Sequence, residues 1–263
     1  MNGIVAAAVV VGALGLVIGL LLSLAAKKFA VETDERVGEV RELLPGVNCG
    51  SCGFAGCDAC AEALVSGEAK LSACPVVNSE NRGKIGELLG IAAEEGVKLV
   101  AFVACDGTCE KTPRKYVYYG IKDCRDAAAM VGNGDKACSF GCLGYGTCEA
   151  NCQFDAIHVV NGVAVVDKDK CQHCGMCVRN CPKHLIRLIP YDDTMQVYCS
   201  NTGRGASVKK TCDSGCIGCG LCAKNCEAGA ITMENNLPVF DESKCTMCGK
   251  CAEKCPASAI HVH

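Results

Sequence analysis

The chain starts with one long apolar segment. Positions Ile4 to Ala26 are apolar or small throughout, with Ser23 as the one exception. A helix of about 23 residues is roughly 35 Å long, which is enough to cross a bilayer. No charged residue precedes the segment, as one would in a secretory signal peptide. Lys27 and Lys28 follow it, so we predict a transmembrane anchor over residues 1–28 with the remaining chain on the cytoplasmic side.

The following segments alternate between helical and strand periodicity. Residues 32–44 are charged, with Val37, Val40 and Leu43 at helical spacing. Residues 82–104 predict a helix followed by a strand. Further on, AIHVVNGVAVV and AITMENNLPVF each predict two short strands joined by an asparagine-containing turn. The pattern therefore predicts an α+β protein made of small units.

Cysteine content changes this picture. The 263 residues include 26 cysteines but no tryptophan, and aromatic residues make up 5%. Many cysteines lie in C-x2-C runs, which are too tight for a disulfide framework and favour metal binding in a reducing compartment. Bound metal would then supply much of the core of each small unit.

One cysteine pattern occurs twice, 74 residues apart and without a gap. The second half of each copy has the form C-x2-C-x2-C-x3-C-P, which holds bacterial [4Fe–4S] clusters. The first three cysteines of this form bind one cluster, and the fourth binds the other cluster of the pair. Each copy resembles the bacterial two-cluster ferredoxin fold. The repeated positions are Cys138, Cys142, Cys148, Cys152, Cys171, Cys174, Cys177 and Cys181, matched by Cys212, Cys216, Cys222, Cys226, Cys245, Cys248, Cys251 and Cys255.

This resemblance implies four ligand sets. The first copy departs from the pattern because Tyr145 stands where the second copy has Cys219, and we expect Cys138 to substitute. Cys212 is then left over in the second copy, although the choice between Cys212 and Cys219 stays open. The expected sets are Cys138, Cys142, Cys148 and Cys181; Cys152, Cys171, Cys174 and Cys177; Cys216, Cys219, Cys222 and Cys255; and Cys226, Cys245, Cys248 and Cys251.

A fifth set precedes the repeats, in the motif LPGVNCGSCGFAGC. Its ligands would be Cys49, Cys52, Cys57 and Cys74, with interleaved glycines that let backbone N–H groups approach the cluster. A zinc knuckle, which also uses four thiolates, is the alternative. Cys60 is expected to be a buried spare on the following helix.

Three cysteines lie between this motif and the repeats. Cys105, Cys109 and Cys124 are one ligand short of a cluster. They would need a fourth, such as Cys138, or they are structural thiols. Five [4Fe–4S] clusters are therefore expected. A sixth cluster is an open alternative, for which Cys105, Cys109, Cys124 and Cys212 are the candidate ligands.

Charge and motifs exclude some functions. The formal charge is −3, and five clusters at roughly −2 each would bring it to about −13, so nucleic acid is not an expected partner. Neither a dinucleotide fingerprint nor a phosphate loop occurs, and the five histidines lack metal-binding spacing. Five basic residues near the clusters are candidates for steering an acidic ferredoxin: Arg179, Lys183, Arg187, Lys209 and Lys210.

The order of anchor, LPGVNCGSCGFAGC motif and tandem ferredoxin pairs resembles the B subunits of Rnf-type ion-translocating ferredoxin:NAD⁺ oxidoreductases, in their long form. The resemblance implies an iron–sulfur subunit that takes electrons from reduced ferredoxin and passes them to flavin- and NAD-binding subunits of a cytoplasmic-membrane complex that exports Na⁺ or H⁺. A polyferredoxin-type carrier serving a hydrogenase or formate dehydrogenase is the alternative.

The predicted division of the chain has five parts. They are the anchor (1–28), an amino-terminal cluster domain (32–81), a connecting segment (82–130), ferredoxin module 1 (131–190) and ferredoxin module 2 (205–263).

Overall fold

The computed structural model describes residues 2–28, 34–92, 97–192 and 195–262. Helix α1 spans Asn2–Lys28. Within these described ranges, no helix meets the combined length and apolarity required of a membrane span, so the predicted anchor is not confirmed. Parts of four predicted segments lie outside the described residues: Met1 of the anchor, positions 32–33 of the amino-terminal cluster domain, positions 93–96 of the connecting segment, and His263 of module 2.

The amino-terminal domain is helical. Asp34 and Asn78 cap two of its helices by accepting hydrogen bonds from the backbone N–H groups of Arg36 and Asn81. Val40, Leu64 and Ile85 are at most 2% exposed and form its core with cysteines of the motif. The elements are α2 (Glu35–Leu43), α3 (Cys57–Ser66), a 3₁₀ turn (Leu71–Ala73) and α4 (Ser79–Leu89).

Module 1 consists of two antiparallel strand pairs and short helices. Strand β1 (Leu99–Val103) pairs with β4 (Ile186–Pro190), with Leu99 opposite Pro190. The hairpin β2 (Ile157–Val160) and β3 (Val163–Val166) turns at Asn161, which has a φ of 47°. The helices are α5 (Cys124–Ala129), α6 (Thr147–Ala150) and α7 (Met176–Asn180).

Module 2 has the same topology. Strand β5 (Met195–Val197) pairs with β8 (Ile260–Val262), and β6 (Ile231–Glu234) forms a hairpin with β7 (Leu237–Phe240). Its helices are α8 (Ala206–Lys209), α9 (Leu221–Lys224) and α10 (Lys250–Glu253). Cysteines make up much of the buried core, as expected for units too small to bury many apolar side chains.

The modules start earlier than the cysteine repeat predicts. Each contains a strand that lies before the predicted boundary, at 131 or 205, and pairs with the last strand of the same module. In module 1 this strand is β1, so the segment predicted to be a connector contributes to the module sheet. The repeat did not reveal these strands because they lie upstream of the first repeated cysteine.

Candidate iron–sulfur sites

The thiols of the amino-terminal motif come together as predicted. Burial and the neighbouring thiols of Cys52 and Cys49 raise the pKa of Cys74, which also accepts hydrogen bonds from the N–H groups of Val76 and Val77. Asn48 shapes the loop by accepting a 2.8 Å hydrogen bond from the N–H of Cys57. These contacts suit a cluster held by thiolates and N–H···S bonds.

Cys60 fits the prediction of a buried spare. It is 1% exposed, on α3. Burial and the adjacent thiol of Cys52 raise its pKa to about 12, which keeps it protonated. Cys60 also shares a side-chain hydrogen bond with Cys52, so it lies directly beside the candidate ligands.

The amino-terminal domain docks directly onto module 1. Ser51 donates a hydrogen bond to the carbonyl oxygen of Cys174. Arg179 donates to the carbonyls of Cys49 and Gly50, at 3.2 and 3.5 Å. Cys174 also packs against the core of the amino-terminal domain. The first predicted cluster site is therefore adjacent to a site of module 1.

A glycine followed by a short helix recurs four times in the two modules. Each glycine is the N-cap residue and has a φ between 71° and 77°, a left-handed conformation that favours glycine. The second residue of each helix is a buried cysteine, and the residue before each glycine is a cysteine in three cases and Tyr145 in the fourth. The glycines are Gly146, Gly175, Gly220 and Gly249.

One module 1 set forms as predicted. Burial raises the pKa of Cys177 to about 12, and the thiols of Cys171, Cys174 and Cys152 add to the rise. All four line one cavity. The N–H groups of Ala101 and Ala156 donate to the sulfurs of Cys171 and Cys152, at 3.4 and 3.5 Å.

The second module 1 set differs from the prediction. Cys142, Cys148 and Cys181 line one cavity, but the fourth cysteine in it is Cys124, not Cys138. Burial raises the pKa of Cys148 to about 12, with further contributions from Cys142, Cys124 and Cys181. The structure thus places Cys124 beside these three thiols, in the position that the sequence predicted for Cys138.

Helix α5 delivers Cys124 to this cavity. Asp123 caps the helix, and the hydroxyl of Thr147 accepts a 2.7 Å hydrogen bond from the N–H of Cys124. The ring of Tyr145 packs beside the same small core, 5.3 Å from the ring of Tyr118. Tyr145 therefore packs beside Cys124 without lining the cavity, and the fourth thiol there comes from α5.

In module 2 the structure brings thiols of each predicted set close together. Burial and the thiols of Cys255 and Cys219 raise the pKa of Cys216. Cys219, not Cys212, is therefore the thiol that lies with Cys255 beside Cys216. In the other set, burial raises the pKa of Cys251, and the neighbouring thiols of Cys245 and Cys248 add to the rise. The N–H of Ala230 donates to the sulfur of Cys226 at 3.3 Å.

Four more cysteines line a cavity between the modules: Cys105, Cys138, Cys199 and Cys212. The sequence grouped Cys105 with Cys109 and Cys124, and the structure separates all three. Cys109 is exposed, and Cys124 belongs to module 1 as described above.

The buried thiols indicate how iron would bind. Burial raises the pKa of Cys105 to about 12 and that of Cys222 to about 11, so these side chains are neutral in the absence of iron. Iron binds thiolates, so loading a site displaces these protons.

Among the described residues, no group of three or more potential ligands is close enough to hold one metal ion. In a [4Fe–4S] cluster each thiolate binds a different iron, which spaces the sulfurs more widely.

Lys136 places a cation between two sites. It is 1% exposed, and its ammonium donates to the carbonyls of Gly107 and Gly162 at 2.8 and 2.7 Å. Its charge opposes the rise in pKa that burial imposes on Cys105 and Cys142. A cation at this position would favour the reduced, more negative state of a nearby cluster.

We predict that Lys136→Gln lowers the reduction potential of the cluster at Cys142. The loss of a buried charge is expected to lower it by about 60 mV, a tenfold change in a one-electron equilibrium. Redox titration followed by EPR measures the shift. Lys170→Gln is the control, since Lys170 is half exposed and pairs with Asp155 on the surface. An equal shift in both variants would contradict the prediction.

Three of the five basic residues proposed to steer ferredoxin have internal roles. Arg179 binds the amino-terminal domain, and Lys183 donates to the carbonyls of Asn133 and Ser139. Arg187 donates to the side chain of Gln196 at 2.5 Å. Lys209 and Lys210 are exposed. A docking role therefore stays a prediction for these two lysines alone.

Family models match three of these regions. The putative Fe-S cluster family matches residues 44–76, the 4Fe-4S binding domain residues 163–186, and the 4Fe-4S dicluster domain residues 215–259. The chain is thus a mixed α/β protein with 4Fe-4S ferredoxin domains. None of the three matched ranges includes Cys105, Cys138, Cys199 or Cys212.

Curated relatives match nearly the whole chain. The B subunit of the Na(+)-translocating ferredoxin:NAD(+) oxidoreductase complex of Acetobacterium woodii is 45% identical over 93% of this chain and 73% of its own length. The B subunit of the proton-translocating ferredoxin:NAD(+) oxidoreductase complex of Clostridium ljungdahlii is 42% identical, over 92% and 86%. The B subunit of the ion-translocating oxidoreductase complex of Methanosarcina acetivorans is 40% identical, over 89% of each.

These matches extend across the amino-terminal cysteine motif and both ferredoxin modules, the features on which the predicted resemblance rests. The chain therefore belongs to the family of B subunits of Rnf-type ion-translocating oxidoreductase complexes.

Proposed function

We propose that this chain is the iron–sulfur electron-transfer subunit of a ferredoxin:NAD⁺ oxidoreductase complex that exports Na⁺ or H⁺. It would receive electrons from reduced ferredoxin and deliver them to flavin- and NAD-binding subunits. When bound, [4Fe–4S] clusters accept and release single electrons. The task of the chain is to hold the clusters close together and to set their potentials.

The observation that carries this proposal is the contact between successive cysteine sets. Burial raises the pKa of Cys174, and the nearby thiol of Cys49 adds to the rise. Ser51 donates a hydrogen bond to the carbonyl oxygen of Cys174. The two sets of module 1 then share one core, as do the two sets of module 2. Neighbouring sites at this proximity suit electron transfer along the chain.

Exposure supports a direction of electron flow. In the Cys226, Cys245, Cys248 and Cys251 set of module 2, Cys248 is exposed, and the adjacent Met247 is 43% exposed. Ferredoxin would dock there. The Cys49–Cys74 set follows α1 in the chain and would face the partner subunits.

Helix α1 supports attachment to the cytoplasmic membrane. Its described side chains between positions 10 and 25 are exposed, including Leu16 at 78% and Val11 at 71%. Exposed apolar side chains on this scale mark a surface that a membrane or a partner covers. We propose a single-pass arrangement with the cluster domains on the cytoplasmic side, as the positions of Lys27 and Lys28 favour.

Cys52→Ala tests the proposed direction in the assembled complex. Ferredoxin is expected to reduce the module clusters still, as followed by EPR, while ferredoxin-dependent NAD⁺ reduction falls to background. Cys109→Ala is the matched control, since Cys109 is exposed and outside the predicted sets. NAD⁺ reduction at the normal rate in Cys52→Ala would overturn the proposal. Copurification with a hydrogenase or formate dehydrogenase instead would point to a polyferredoxin-type carrier.

A further inference from the structure

We infer that Cys105, Cys138, Cys199 and Cys212 bind a sixth [4Fe–4S] cluster, which bridges the two ferredoxin modules. Each module supplies two of the four thiols that line this cavity. The site differs from the two sites within each module, because neither module can form it alone. That this cluster would carry electrons rests on the proposed function, whereas its presence does not.

The site has two-fold-like symmetry. Cys105 lies two residues after the end of β1, and Cys199 lies two residues after the end of β5. Cys138 and Cys212 are the first cysteines of the 74-residue repeat. Each module therefore contributes the same pair of positions, one after its first strand and one at the start of its repeat. Equivalent positions facing each other form a single four-thiol site.

The hydrogen bonds around the cavity repeat in the same way. Gly107 donates its N–H to Cys105, and Asn201 donates its N–H to Cys199, each at 3.4 Å and two residues after the cysteine. The side-chain amide of Asn201 also points at the sulfur of Cys138, at 3.6 Å. The hydroxyl of Ser214 lies 3.5 Å from the sulfur of Cys212. N–H···S bonds of this kind stabilise thiolates and tune the potentials of clusters.

Two glycines and a buried threonine complete the wall of the cavity around the four thiols. A methyl group on Gly107 would lie 3.6 Å from the sulfurs of both Cys105 and Cys212, and one on Gly141 would lie 3.6 Å from those of Cys105 and Cys138. Thr112 lines the same cavity and is 1% exposed. Within the described ranges its hydroxyl has no hydrogen-bond partner. A buried hydroxyl is costly without an acceptor, and a cluster sulfide would supply one.

The site lies between clusters of the two modules. On one side, Cys142 of module 1 donates its N–H to the sulfur of Cys105 at 3.3 Å. On the other, the N–H of Cys216 donates to Cys199, although burial still raises the pKa of Cys199 to about 11. Cys142 and Cys216 are themselves equivalent positions of the repeat. The bridging cluster would therefore connect the sites of module 1, which adjoin the amino-terminal domain, to the Cys216 site of module 2.

The two modules are held together around this site. Asp106 donates its N–H to the carbonyl of Tyr198 at 3.1 Å, and Ser200 donates to the carbonyl of Ala104 at 3.0 Å. Asp213 donates to the carbonyl of Lys111 at 2.9 Å. These bonds cross the module boundary next to the thiols, so the cavity is part of a built interface.

Iron and acid-labile sulfide per chain test the inference in the full-length protein purified under anaerobic conditions. The wild-type chain is expected to hold about 24 iron atoms, four for each of six clusters. Cys199→Ala is expected to hold about 20 and to lose one of the EPR components that appear on chemical reduction. Cys109→Ala is the matched control and is expected to keep the wild-type values, since Cys109 is exposed and does not line the cavity.

Three results would overturn the inference. They are about 20 iron atoms in the wild-type chain, an unchanged count in Cys199→Ala, or about one zinc per chain that Cys199→Ala removes. If Cys199→Ala and Cys212→Ala both fail to fold, the wild-type count alone decides between five clusters and six. Chemical reduction replaces ferredoxin in these measurements, so failure of the proposed function would leave their outcome unaffected.

Discussion

Removal of iron and sulfide is expected to unfold both ferredoxin modules and to leave helical structure in the amino-terminal domain. Each module contains only two-stranded sheets among its described residues, and such sheets are marginally stable alone. Of the nine buried residues in the module 2 core, four are cysteines. Structural metal binding contributes about 10–16 kcal/mol in small zinc domains, comparable to the whole stability of a domain.

The amino-terminal domain differs because it is built from helices, whose backbone hydrogen bonds are local, and because its core, unlike that of module 2, is mainly aliphatic. It has 13 buried core residues, of which three are cysteines, and three helices that pack together. Hydrogen exchange with mass spectrometry after anaerobic chelation is the measurement. We expect full exchange in the hairpins at 157–166 and 231–240, and residual protection in α3 and α4. Reconstitution with iron and sulfide is the control, and hairpins that stay protected without iron would contradict the prediction.

Replacing Cys124 by alanine is expected to remove the cluster held with Cys142, Cys148 and Cys181. The chain should lose about four iron atoms, because no other thiol of the described residues lines that cavity. Cys138→Ala should also lose about four iron atoms, but from the bridging site. Iron counts alone therefore do not separate the two variants, and a second substitution is needed.

Tyr145→Cys supplies that distinction. Tyr145 precedes Gly146, whose φ of 77° is close to the 71° of Gly220, the residue after the ligand Cys219. A cysteine at position 145 would therefore enter the cavity from the regular ligand position. Adding Tyr145→Cys to Cys124→Ala is expected to restore about four iron atoms, whereas adding it to Cys138→Ala should restore none. Rescue of Cys138→Ala instead would show that Cys138 is the ligand beside Tyr145.

The spacing of the cysteines was enough to predict which thiols lie together in the amino-terminal motif and in three of the four module groups, while their role as ligands stays a prediction. In these module groups, three cysteines are spaced three positions apart around a glycine turn and a short helix, and a fourth comes from the partner motif. Local spacing then determines local geometry. Gly175 and Gly249 illustrate this, since each follows a cysteine and starts a helix whose second residue is another ligand.

Sequence could not assign Cys124 and Cys199, for a reason that the structure makes clear. Cys105 and Cys199 are equivalent but lie 94 residues apart, while the rest of the repeat is offset by 74. Module 1 therefore carries 20 extra residues between its first strand and Cys138. This insertion conceals the upstream part of the repeat. The insertion also contains α5, which brings the thiol of Cys124 to the cavity lined by Cys142, Cys148 and Cys181.

The shared cavity between the modules has a consequence for biosynthesis. A ribosome makes Cys105 and Cys138 well before Cys199 and Cys212, so the bridging site has only half of its thiols until the first part of module 2 has left the exit tunnel. A chain truncated after module 1 would expose two unpaired thiols and could not be loaded there. Filling of this one site would therefore report that the start of module 2 has been made and that the two halves have met in the correct orientation, before the protein joins its complex.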